Sequence, residues 1–185
     1  MGRDFHSLIA APPASAEKFR MGLETRSMVT DARMEFADFE KVAPEARAAL
    51  TALSRAVDDS GLDKALTELI KIRASQGNGC AFCVQFHLNA ARRAGVSQTK
   101  LDLVTVWRDA GVFSAREMAA LAWTEALTHL TPIGISDQAY EEAAKEFAES
   151  ELAFLTAAIT SINAWNRIAM AYRFTPPVPQ DGIRE

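Results

Sequence analysis

Apolar residues recur at steps of three and four along most of the chain, and polar residues fill the positions between them. This spacing is typical of amphipathic helices, which bury one face and expose the other. One such stretch covers residues 62–76, and a second runs over residues 79–94 until Gly95 ends it. Between the two, Gly77-Asn78-Gly79 predicts a turn in which Asn78 caps the second helix.

The other helices are predicted from the same spacing and from residues that begin helices. Pro44 suits a first helical turn, and Ser114 with Glu117 forms a capping box. The last helix is apolar on nearly every side, so we expect it at the centre or between subunits. The predicted set covers residues 44–61, 62–76, 79–94, 114–130, 138–148 and 151–172, with short helices near 34–39 and after Ser97. No alternating pattern is long enough for a strand, so the sequence predicts an all-α, single-domain bundle of about seven to eight helices.

Length and composition favour one soluble globular domain. The 185 residues are 49% apolar and 24% charged, and the net charge of −4 gives no indication of nucleic-acid or membrane-surface binding. We expect residues 1–27 to form a loosely ordered arm, residues 28–175 the helical domain, and residues 176–185 a flexible tail. No apolar run near the N-terminus is long enough to span a membrane. Two cysteines do not make a disulfide scaffold, and they fit a reducing, cytoplasmic compartment.

Both cysteines and one of the three histidines fall in the predicted helix at residues 79–94. At about 100° per residue, Cys80, Cys83 and His87 lie within an arc of about 60° on one face. Cys80 is in the first turn, where free backbone N–H groups favour an ionised thiol. His87 lies one turn beyond Cys83 and can take or relay its proton. Glu68, on the preceding helix, is expected to fold back over the thiols.

These residues together predict thiol redox chemistry. A thiolate attacks an electrophile, such as the O–O bond of a hydroperoxide, and becomes a sulfenic acid that the second cysteine converts to a disulfide. An external dithiol, which we expect to be a thioredoxin-like or lipoyl protein, must then reduce the pair by exchange. This cycle needs no cofactor.

Other interpretations of the same residues stay open. Two cysteines three positions apart are also compatible with two buried small side chains, or with half a zinc site. With Glu68 and His87 they would supply four zinc ligands in a non-catalytic, metal-binding protein. A general disulfide reductase or a peroxide sensor would use the same redox pair. A thioredoxin-type site is disfavoured because no strand pattern precedes Cys80.

The spacing of these four residues also carries a family resemblance. Written as Glu68-x11-Cys80-x2-Cys83-x3-His87, it resembles the active-site signature of the AhpD-like alkylhydroperoxidases, within the carboxymuconolactone decarboxylase superfamily. The longer run ELIKIRASQGNGCAFCVQFHLNAARRAG is similar to a subgroup of those proteins, as is INAWNR at residues 162–167. The likeness extends over roughly residues 30–173.

The resemblance implies an all-helical, oligomeric peroxidase, often a trimer or hexamer, that reduces organic hydroperoxides. Carried over by position, Cys83 is the peroxidatic thiol, Cys80 is the resolving thiol, and Glu68 and His87 are the proton relay. One position departs from the best-studied branch, which has a histidine immediately before the second cysteine; here that residue is Phe82. The decarboxylase branch lacks the cysteine pair, so the resemblance does not imply decarboxylation of a lactone.

Overall fold

The computed structural model describes residues 31–179, so the expected arm and the last six residues of the expected tail lie outside the described residues. Within this range the chain forms eight α-helices, one 3-10 helix and no β-strand, which confirms the all-α prediction. In chain order they are α1 (Phe36–Val42), α2 (Pro44–Asp59), α3 (Lys64–Asn78), α4 (Ala81–Arg93), α5 (Gln98–Leu103), the 3-10 helix (Val104–Val106), α6 (Ala115–Thr128), α7 (Asp137–Ala144) and α8 (Glu149–Tyr172).

Helix α3 is central to the described chain, because it packs against α4, α6 and α8. Asp63 caps it by accepting a hydrogen bond from the backbone N–H of Leu66 at 2.8 Å. All seven residues from position 66 to position 72 are buried, so every face of this helix meets another part of the protein. Two of the seven, Glu68 and Lys71, are charged, and buried charges require partners.

Helix α8 packs across α3 and carries the apolar stripe that its sequence predicts. The stripe is buried along its whole length, at Leu152, Leu155, Ile159, Ile162, Asn166 and Ala169. In α6, the helical spacing of the sequence predicts Met118 on the face toward the core, but the structure shows this side chain exposed. The inward face of α6 is formed by Ala120, Leu121 and Thr124, and Met118 lies to one side of them, toward α7.

The turn between α3 and α4 differs from the prediction. Helix α3 continues through Asn78 and ends at Gly79, whose φ of +73° is in the left-handed region that favours glycine. Helix α4 is therefore capped by Cys80, not by Asn78. The side-chain amide of Asn78 instead donates a hydrogen bond to Asn163 on α8 at 2.8 Å. This turn fixes both cysteines at the start of α4.

Three apolar clusters fill the described part of the chain. One of them is formed by α1, α3, α4, α8 and the segment after α8, and it includes Cys80 and Cys83 together with Phe39, Ile162 and Phe174. The thiols thus lie in an apolar surrounding. Among the described helices, none is long and apolar enough to cross a membrane.

Candidate active site

The two cysteines are in contact at the N-terminus of α4. Both are free thiols, and only 2% of Cys80 and 3% of Cys83 are exposed. The sulfur of Cys80 caps the helix by accepting a hydrogen bond from the backbone N–H of Cys83 at 3.4 Å. The backbone N–H of Cys80 donates to the carbonyl of Ser75 at 2.9 Å, which holds the cap residue against the end of α3.

This arrangement makes the two thiols unequal in acidity. The hydrogen bond from the Cys83 side chain lowers the pKa of Cys80 most, and the backbone N–H groups of Cys83 and Phe82 add to it against the effect of burial. The pKa of Cys83 is raised, first by its hydrogen bond to Cys80 and then by burial and by the charge on Cys80. In the pair that has lost one proton, the negative charge therefore resides on Cys80 and the remaining proton on Cys83.

Glu68 projects from the centre of α3 and is almost completely buried. Its Oε2 lies 2.7 Å from His87 Nδ1 on α4, and its Oε1 lies 3.0 Å from the Nζ of Lys71. The Nζ of Lys64 is 3.3 Å from the same Oε1 and also pairs with Asp58 at 2.6 Å. The carboxylate is thus held by one imidazole and two ammonium groups.

These contacts fix the ionisation of the carboxyl and the tautomer of the ring. Burial acts against an ionised Glu68, but the hydrogen bond and charge of His87 and the charge of Lys71 lower its pKa to about 2. Burial also lowers the pKa of His87, against the opposing effect of Glu68. Part of the lowering of the Glu68 pKa comes from a positive charge on His87. The lowered pKa of His87, however, keeps the ring neutral at pH 7. We therefore assign a neutral ring that donates Nδ1–H to Glu68, which leaves the Nε2 lone pair free to accept a proton.

A cavity of about 360 Å³ opens beside these groups. Cys83, His87 and Glu68 all border it, whereas Cys80 does not. Among the hydrogen bonds of residues 31–179, none joins His87 directly to either sulfur. The predicted proton relay from Cys83 to His87 would therefore pass through the cavity, by way of a water molecule or a bound substrate.

Aromatic side chains form one wall of the cavity. Phe82 lies between Phe36 and Phe174, with ring centroids 5.5 and 5.3 Å away, and stacks on Phe86 at 6.1 Å. Trp165 of α8 completes this wall and meets Phe36 at 6.0 Å. The position at which the best-studied branch has a histidine is therefore an apolar surface in this chain, with no group that could exchange a proton.

The structure brings together all four residues that the sequence singled out, and it adds others that the sequence analysis missed. Lys64 lies four residues before Glu68, and Lys71 lies three residues after it. Side chains at these spacings meet on a helix, so the sequence could have indicated both lysines. Arg47 and Arg93 border the cavity from α2 and α4, and no local signal in the sequence identifies either. Trp165, within the run INAWNR at residues 162–167, also borders the cavity.

Residues 31–179 do not form the set of zinc ligands that the metal-binding alternative requires. No group of three or more histidine, cysteine, aspartate or glutamate side chains is arranged there to hold a metal ion. Both oxygens of Glu68 are bound within the protein, Oε2 to His87 and Oε1 to Lys71.

Comparison with known proteins gives the same fold and a family. The profile of the carboxymuconolactone decarboxylase family matches residues 44–126. The uncharacterized protein YdfG of Bacillus subtilis is 32% identical over 133 residues, which are 72% of this chain and 90% of YdfG. The uncharacterized protein YnjA of Escherichia coli is 36% identical over 125 residues, which are 67% of this chain and 65% of YnjA.

Two solved structures are also similar. One is an Agrobacterium tumefaciens protein of unknown function, described as a candidate AhpD antioxidant-defence protein; it is 40% identical, with a TM-score of 0.75 over 80% of this chain and all of that one. The other is the debrominase Bmp8, which is 21% identical and has a TM-score of 0.66 over 73% of each chain, so it supports the fold alone. These matches show that the chain belongs to the carboxymuconolactone decarboxylase superfamily, which includes the AhpD-like proteins.

Proposed function

We propose that this protein is a thiol-dependent peroxidase that reduces organic hydroperoxides through Cys80 and Cys83. The observation that carries the proposal is the position of Cys83. It borders a cavity that also contains the His87–Glu68 pair, and it contacts a second, more acidic thiol on its other side. A substrate in the cavity would reach Cys83 first, while Cys80 lies behind it.

In the first step, Cys83 attacks the hydroperoxide. Its proton passes to the Cys80 thiolate as its sulfur bonds to the outer peroxide oxygen and the O–O bond breaks. The alkoxide that leaves takes this proton from Cys80, directly or through a water molecule bound to His87, and departs as the alcohol. Cys83 is then a sulfenic acid, and Cys80 is again a thiolate that the backbone N–H groups stabilise.

In the second step, the Cys80 thiolate attacks the Cys83 sulfur and hydroxide leaves as water after taking one proton. Over the two steps, two thiols and one hydroperoxide are converted to one disulfide, one alcohol and one water. An external dithiol returns both cysteines to thiols by exchange and is itself oxidised to a disulfide. We propose a thioredoxin-like or lipoyl protein as this donor, because the cycle requires two electrons from a vicinal or paired dithiol.

The family supports an enzyme of this general class. A structure that is 40% identical is described as a candidate antioxidant-defence protein. The apolar cavity wall supports an organic hydroperoxide in preference to hydrogen peroxide, because Phe82 and Phe86 can bury apolar surface of the substrate.

Single-cysteine variants test the proposal with a small dithiol as reductant. We expect Cys83→Ser to abolish hydroperoxide consumption. We expect Cys80→Ser, assayed without the dithiol, to consume one equivalent and stop, with a sulfenic acid on Cys83 that a carbon nucleophile such as dimedone traps. Circular dichroism checks that both variants fold. Full turnover by Cys83→Ser would contradict the proposal.

A further inference from the structure

Two chemically different sets of side chains line the cavity beside Cys83. One set is the aromatic wall already described. The other consists of four cationic side chains, which are Arg47, Lys64, Lys71 and Arg93, and the Arg47 guanidinium lies over the Phe36 ring, 5.9 Å from its centroid. A cavity lined by apolar and cationic side chains suits a molecule that has an apolar body and a negative charge.

The positive charges exceed the negative charges at this cavity. Only two carboxylates border it, Asp58 and Glu68, and each is engaged by lysine. Arg47 is also occupied, since its Nε lies 2.7 Å from Glu40. The whole chain has a net charge of −4, so this local excess of positive charge does not reflect the general composition.

Arg93 differs from the other three cations. Within residues 31–179 it forms no ion pair and no side-chain hydrogen bond, yet it borders the cavity at its exposed edge. It is ten residues beyond Cys83 on α4, a distance of roughly 15 Å along the helix axis. Long side chains on a helix lean toward its N-terminus, so an arginine at this position can extend toward the thiol. Phe86 and Ala90 border the cavity between the two residues.

We propose that the substrate is an organic hydroperoxide that also carries a carboxylate. This inference rests on the proposed function and specifies its substrate class. The peroxide group lies at Cys83, the apolar body lies against Phe82 and Phe86, and the carboxylate binds Arg93 at the cavity edge. Arginine suits this role because its planar guanidinium binds a carboxylate through two parallel hydrogen bonds. The carboxylate takes no part in the redox step and leaves unchanged with the alcohol product.

A matched pair of probes tests the inference. The first is cumene hydroperoxide with a carboxylate at the para position, and the second is its methyl ester, which has the same peroxide and ring but no charge. We expect kcat/KM for the acid to exceed that for the ester by about fivefold at low ionic strength, the upper range for a charge pair with an exposed partner. Added salt should reduce this ratio.

Two arginine variants locate the effect. Arg93→Gln should bring the acid-to-ester ratio close to one. Arg92→Gln is the matched control, because Arg92 is the adjacent residue on the same helix, is exposed, and does not border the cavity. That control should retain the full ratio.

The outcomes separate this inference from the function on which it rests. Turnover of both probes with equal kcat/KM would overturn the carboxylate site and leave the peroxidase intact. A ratio that Arg93→Gln does not change, or that Arg92→Gln changes equally, would overturn the role of Arg93. If the enzyme turns over neither probe, the peroxidase proposal itself is contradicted.

Discussion

Glu68 provides the most quantitative test of the site, because its carboxylate is buried and bound by His87, Lys71 and Lys64. The substitution Glu68→Gln keeps the shape of the side chain but removes its charge. The amide can still accept one hydrogen bond, but it leaves the buried ammonium of Lys71 without a counter-ion. We therefore expect the variant to fold with a lower free energy of unfolding.

The pKa of Glu68 gives the size of this loss. Its ordinary value of 4.5 falls to about 2 in the folded protein, although burial opposes the change, because His87 and Lys71 stabilise the ionised form. The difference of about 2.5 pH units corresponds to an upper bound of about 3.5 kcal/mol, at about 1.4 kcal/mol per unit, and the contribution at pH 7 is smaller because His87 is neutral there. Removal of one partner from a buried ion pair generally costs about 3–5 kcal/mol, which agrees in magnitude.

The sign of the pH dependence follows from the lowered pKa. The contribution of Glu68 is fully present above its unfolded pKa of 4.5 and is lost as the pH falls toward the folded value of about 2. Urea denaturation of the wild-type protein and Glu68→Gln should therefore show a difference that does not fall between pH 7 and pH 5, because Glu68 also opposes the lowering of the His87 pKa, and that shrinks below pH 5. Glu141→Gln is the control, because Glu141 is exposed on α7 and has no ion pair among the described residues. A difference below about 1 kcal/mol at pH 7, or one that persists unchanged at pH 3, would refute this reasoning.

Three further predictions concern the thiols and the residues around them. Titration of ultraviolet thiolate absorbance should give Cys80 in the Cys83→Ser variant a lower pKa than Cys83 in the Cys80→Ser variant, because only Cys80 accepts backbone N–H groups. The reverse order would contradict the assignment. Phe82→Ala should cost about 2 kcal/mol in urea denaturation, since the ring is half-buried among other aromatic rings, and should lower kcat/KM more for an aromatic hydroperoxide than for hydrogen peroxide. Gly79→Ala should cost about 1 kcal/mol, because its φ is +73° while open space surrounds the added methyl group; a neutral effect would show that the turn relaxes.

The sequence predicted well those helices whose ends carry their own chemical signals. Pro44 is the first residue of α2, and Ser114 and Glu117 form the capping box of α6. Ser97 caps α5, as expected, through a hydrogen bond to the backbone N–H of Lys100. Each serine accepts a hydrogen bond from a backbone N–H three residues along the chain, and Pro44 restricts its own backbone, so the local sequence contains the whole signal.

The turn before the thiols shows where local signals fail. Gly77, Asn78 and Gly79 are each compatible with the end of a helix, and Asn78 is also a good cap for the next one. A contact with α8 decides between these two roles of Asn78. Its side-chain amide donates a hydrogen bond to Asn163 and does not cap α4. A contact across 85 positions of the chain cannot be deduced from the tripeptide.

In the candidate site, too, some features could be predicted from the local sequence and others only from the fold. The spacing of Cys80, Cys83 and His87 along one helix is enough to place all three side chains on the same face. The structure places Glu68 against His87 and not against a sulfur, because residues 68 and 87 meet where α3 and α4 cross. The cavity walls come from α1, α2 and α8 as well, so Arg47 and Trp165 could be assigned to it only from the fold.

The most direct test of the central claim is the intact mass and free-thiol count of the reduced protein before and after one equivalent of an organic hydroperoxide. We predict the loss of two hydrogens and of both thiols, recovery of both on addition of a dithiol, and no such change in Cys83→Ser. Thiols that remain unreacted, or an oxygen added to Cys83 with no disulfide to Cys80, would contradict the account.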